Sequence, residues 1–115
     1  MQQTIFIPLM DNSGENSKIS KHFGHAPYFA LYSLKEKKLI IKKNKLDHGN
    51  QNKTPVDQVI EAADPTIVFA RDMGLRAINL FREKKIVLKT GPYDTLEEVI
   101  KNLNNLKILN NGCGH

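Results

Sequence analysis

One cysteine, Cys113, stands in a chain of 115 residues, so no internal disulfide can form and a four-cysteine zinc or iron-sulfur site cannot be built from one copy. Any soft-metal site must borrow histidine, sulfide from the guest or a second subunit. Arginine is almost as scarce, at Arg71, Arg76 and Arg82, so lysine carries most of the net charge of +5. Arginine forks dominate specific recognition of bases and phosphates, and a lysine surface favours general affinity for anions instead. No apolar run approaches the roughly 20 residues of a membrane span, and the opening MQQTIFIPLMDNSGE turns polar too soon for a signal peptide. A cytoplasmic protein without membrane contact is expected. Neither Gly-x-Gly-x-x-Gly nor Gly-Lys-Ser/Thr occurs, and no nucleophile-base pair is visible, so the chain is not expected to be an enzyme.

What remains is an ordinary globular composition, 40% hydrophobic and 25% charged, of a length that suits one domain. That domain is expected over residues 1–108, with a flexible Gly/Cys/His tail at 109–115. Thr4 to Leu9 is a short apolar run bounded by Asp11-Asn12-Ser13-Gly14 and reads as a buried strand. A long loop follows, to about Pro27. YFALYS (28–33) and KLIIKK (38–43) flank a polar turn and suit an antiparallel hairpin. The stretch from Asn44 to Lys53 is polar and lacks periodicity, a surface loop.

Thr54-Pro55 then supplies a cap and a first-turn proline, and Val56, Val59, Ile60 and Ala63 recur at helical spacing. TIVFA (66–70) suits a central parallel strand. A second helix is expected from about Gly74 to Lys84 with Leu75, Ile78 and Phe81 inward, then a fifth strand at KIVLK (85–89). Thr95-Leu96-Glu97-Glu98 has capping-box form and opens a third helix whose apolar face is Leu96, Val99, Ile100 and Leu103. The order predicts an α/β fold in three layers, ribonuclease-H-like or similar, with a five-stranded mixed sheet and three helices.

Ligands of open α/β sheets bind beyond the carboxyl ends of the parallel strands. Met10 to Ala26, Arg71 to Gly74 and Thr90 to Asp94 are expected to meet there. The first of these is longer than a mere connection requires. It carries His22 and His25 beside Lys18 and Lys21; paired imidazoles can approach one borderline metal, and the lysines can neutralise an anionic guest. Cys113 and His115 place a thiolate and an imidazole two residues apart on the tail. His48 reads as a loop histidine. Met10 and Met73 could offer thioethers, although methionine is more often packing.

The run Ser20-Lys21-His22-Phe23-Gly24-His25-Ala26-Pro27-Tyr28-Phe29 resembles the signature of the dinitrogenase iron-molybdenum cofactor biosynthesis family, Ser-x-His-Phe-Gly-x-Ala-x-x-Phe after the first strand. Asp47-His48-Gly49, Gly74-Leu75-Arg76-Ala77, Thr95 to Val99 and the Gly-Cys-Gly-His ending are similar to further family elements, and the resemblance covers nearly the whole chain. It implies a ribonuclease-H-like fold and a small stand-alone member that holds an iron-sulfur or iron-molybdenum-sulfur cluster, or its precursor, during assembly or transfer. His22 becomes the leading ligand, with Phe23 and Gly24 shaping the loop and His25 at a position that varies in the family. His48, Cys113 and His115 complete the metal-binding candidates. Cluster donor and acceptor proteins are the expected partners of a monomer or weak homodimer. The alternative is a non-catalytic module binding anions or nucleic acid through lysine charge alone. A nuclease has little support, because only Asp11, Asp72 and Asp94 lie near the expected crevice and two-metal chemistry needs convergent carboxylates.

Overall fold

The computed structural model describes residues 3–21, 23, 26–44 and 55–109. The expected hairpin forms from β2 (Tyr28–Ser33) and β3 (Lys38–Lys43), and β2 also pairs antiparallel with β1 (Thr4–Leu9). On its other side β1 pairs in parallel with β4 (Ile67–Phe69), which pairs in parallel with β5 (Val87–Thr90). Helices α1 (Pro55–Ala63), α2 (Leu75–Glu83) and α3 (Leu96–Lys101) fill the connections.

Among the described residues the sheet has six strands, not the expected five, in the order β3-β2-β1-β4-β5-β6. The extra strand, β6 (Lys107–Ile108), runs antiparallel to β5, and the Leu109 N–H donates to the Leu88 carbonyl to extend the pairing. Both its residues are exposed, so it leaves no hydrophobic alternation in the sequence. The pairing thus reaches Leu109, the first residue of the expected tail.

Alternation along the strands divides the core. Phe6, Phe29, Val68 and Leu88 project to one face and pack with Val56 and Val59 of α1 and Ile78 and Phe81 of α2. Ile5, Ile7, Leu9, Ala30 and Phe69 project to the other and pack with Leu96 and Val99 of α3. Helices on both faces give the three layers. The capping signal at Thr95 is realised: its Oγ1 accepts from the Glu98 N–H and donates to Glu98 Oε1. Within α3, Glu97 Oε1 accepts from Lys101 Nζ at 2.7 Å, and that carboxylate holds the ammonium above its ordinary pKa range.

Two expectations about α2 and its surroundings need correction. Leu75 is 58% exposed rather than inward, because it opens the helix at the carboxyl edge, beyond the end of the short strand β4. The fifth strand begins at Val87, because Lys85 ends the preceding turn with φ of 61°. Its N–H donates to Arg82 O and the Ile86 N–H to Phe81 O, the paired bonds of a Schellman motif. Left-handed backbone costs a side-chain-bearing residue about 1–2 kcal/mol, partly offset by the flexibility glycine brings to the unfolded chain. Lys85→Gly is therefore expected to raise stability by roughly 0.5–1 kcal/mol, measured by urea unfolding.

Candidate functional site

Strand β1 outruns its parallel neighbour: pairing with β4 covers Ile5 and Phe6, while β1 continues to Leu9. Backbone polar groups left beyond that point must find partners. Residues 17–20 of the long loop supply them. The Met10 N–H donates to Lys18 O, and the Ser20 N–H to Pro8 O, as Ile19 bridges Leu9 antiparallel. The opposite side of the same segment pairs with the turn after β5: the Ile19 N–H donates to Asp94 O, the Leu96 N–H to Ser17 O, and Lys18 bridges Thr95. The segment lies between two others, its main chain used on both sides.

The start of the loop is closed locally. A 3-10 turn spans Gly14–Asn16, and Gly14 takes φ of 62°, which a side chain would strain. Ser17 is fully buried; its hydroxyl donates to Gly14 O at 2.6 Å and accepts from the Ser13 N–H. Asp11 accepts from the Lys18 N–H and the Ser13 hydroxyl. The start of the expected long loop is therefore held by its own hydrogen bonds, and Asp11, Ser13 and Ser17 were its legible signals.

The other two expected loops do meet this one. Arg71 follows the apolar run of β4, and its Nη1 donates to Tyr93 O at 3.1 Å and to Asp94 Oδ1 at 2.7 Å. Gly91 permits the turn: a Cβ there would lie 2.5 Å from the Tyr93 ring. Arg71, Gly91 and Tyr93 lie within the segments expected at this edge, but none was assigned a role of its own from the sequence; the arginine that closes a central apolar strand was the available signal.

Lys18 and Lys21 are exposed, and neither makes an ion pair among the described residues. Both line a cleft of about 540 Å³ with Met10, Ile19, Asp94 and Thr95. Met10 is 53% exposed there, whereas Met73 is buried in the core. Phe23, the central residue of the His-Phe-Gly motif, is only 6% exposed. Its ring lies edge-on to Phe6 at 5.8 Å and to Phe81 at 5.4 Å, pinning Phe23 between β1 and α2. The far end of the loop is held where Asn44 Nδ2 donates to Ala26 O and the Asn44 N–H to Pro27 O. His22, Gly24, His25, His48, Cys113 and His115 lie outside the described residues. Among those described, no three His, Cys, Asp or Glu side chains converge on a point that could hold a metal. The acids of the nuclease alternative are dispersed, Asp11 turned to its own loop and Asp94 to Arg71.

The pattern of the family described as "dinitrogenase iron-molybdenum cofactor" matches residues 3–106. No curated protein is similar enough in sequence to count as a relative. Among solved structures, that of PH0822 is 29% identical with a TM-score of 0.74, over 93% of this chain and 96% of that one. TM1290 of Thermotoga, provisionally assigned as a NifB protein of the DUF35 family, is 19% identical with a TM-score of 0.76, over 95% of each chain. The apo orange protein of Desulfovibrio gigas is 14% identical with a TM-score of 0.75, over 95% of this chain and 94% of that one. The last two likenesses show a shared fold.

The packing of Phe23 makes a direct prediction. Phe23→Ala removes a buried ring and is expected to cost about 3–5 kcal/mol in urea unfolding, with Phe23→Leu losing distinctly less.

Proposed function

Because the chain belongs to the dinitrogenase iron-molybdenum cofactor family, we propose that it binds and carries a metal-sulfur cluster, of iron-sulfur or iron-molybdenum type or a precursor of one, during metallocofactor assembly. It acts without catalysis, in the cytoplasm, between a donor and an acceptor protein, as a monomer or weak homodimer. The observation that carries this reading is the setting of the His-Phe-Gly motif. Lys21 is exposed on one side of position 22, Phe23 is locked into the core on the other, and Lys18 stands at the same carboxyl edge. We read the order β3-β2-β1-β4-β5 as the ribonuclease-H-like arrangement, with β6 as an addition.

In this proposal His22 is the principal ligand and His25 a second, because imidazole suits borderline metals. Phe23 acts from within the core, and Gly24 gives the loop its shape. The Cys113 thiolate and His115 close over the guest, and His48 is a further donor from the middle loop. Lys18 and Lys21 offset the negative charge of a sulfide-rich cluster, whose transfer from water would otherwise be costly. The same lysines favour a second reading, a general anion or nucleic-acid binder, which predicts steep salt dependence and no preference among anions.

The test is purification and reconstitution without oxygen, with iron and sulfide in one arm and tetrathiomolybdate in the other, followed by metal analysis and absorption spectra. Stoichiometric metal and a visible chromophore are expected. His22→Ala should weaken retention at least about 10-fold, the lower end of what even outer-sphere partners contribute. Undiminished binding in a His22→Ala, Cys113→Ala double variant would remove both ligands from the proposal.

A further inference from the structure

We propose that Arg71, which has no part in the ligand set above, is a positioning residue for this site: its guanidinium holds the turn at 93–96, and the turn holds the lysine-bearing segment 17–20. The inference deepens the carrier reading and rests on it for the consequence in binding.

The connection can be followed bond by bond. Arg71 Nη1 donates to Tyr93 O and Asp94 Oδ1; Asp94 O accepts from Ile19; Leu96 donates to Ser17; Lys18 bridges Thr95. Segment 17–20 then bears Lys18 and leads directly to Lys21 and position 22. Among the described residues, no other side-chain hydrogen bond ties 71–74 to 91–95.

An exposed ion pair is ordinarily worth little, and the Asp94 side chain is 81% exposed. The arginine is different. Its side chain is only 28% exposed, and the same nitrogen also engages the part-buried Tyr93 carbonyl, which solvent and salt screen less. The turn it holds is built around Gly91, where the Tyr93 ring occupies the space a side chain would need. Losing the guanidinium frees the turn from β4 while leaving both hydrophobic faces of the sheet intact. Local opening, rather than global unfolding, is the expected result. Lys18 and Lys21 then lose their fixed relation to the buried Phe23, and an anion meets mobile charges in place of positioned ones.

Arg71→Met keeps the aliphatic stem and Arg71→Lys keeps a donor and the charge. Both are compared with wild type by amide hydrogen exchange and by titration with tetrathiomolybdate without oxygen. In Arg71→Met the Ile19 and Leu96 amides are expected to exchange at least about 10-fold faster, with the core amides of Phe6 and Val68 unchanged, and tetrathiomolybdate affinity to fall about 10-fold. Arg71→Lys should recover most of both, which a simple loss of packing would not predict. Unchanged exchange at Ile19 and Leu96 overturns the proposal, as does loosened exchange with full affinity. If wild type itself takes up no tetrathiomolybdate and no iron-sulfur cluster, the carrier reading fails, and exchange at Ile19 and Leu96 alone decides whether Arg71 holds the loop.

Discussion

The carboxyl edge depends on a mismatch in strand length. β4 stops at Phe69 after pairing with the first half of β1, and the unpaired upper half of β1 would otherwise present main-chain groups with no partner. Residues 17–20 fill that place by pairing with β1 on one side and the 94–96 turn on the other. A loop that would have moved freely becomes an inserted strand-like segment. The geometry around the motif follows from that insertion.

Phe23 complements it from the opposite direction. The inserted segment fixes the chain before the motif by hydrogen bonds, and Phe23 fixes it by burial against Phe6 and Phe81. One constraint is polar and directional, the other apolar and proportional to area. Two independent anchors so close in sequence hold Ser20 and Phe23 against different parts of the sheet and helices.

Elements with a strong local signature were legible in the sequence. Val56 and Val59 at helical spacing, Ile78 and Phe81 on α2, and the cap at Thr95 all state their roles in the residues themselves. The meeting of three loops beyond the parallel strands was likewise deducible from topology. The rest depended on partners distant in sequence. β6 exists because Lys107 and Ile108 find the free side of β5, and neither residue type announces that. The pairing of Ile19 with Asp94 is main chain to main chain and leaves no side-chain trace. Leu75 has the right spacing to face inward, but the strand beneath it ends too early to receive it.

Strand β3 forms one outer border of the sheet and exposes Lys38, Lys42 and Lys43. If two molecules met there in full antiparallel overlap, Lys38 of each would face Lys43 of the other, and like charges directly opposed repel. The sheet therefore resists lengthening by self-addition even though Ile40 on the same border is half exposed. Lysine charge on that flank thus disfavours the one antiparallel edge-to-edge register that would pair all six residues of the strand.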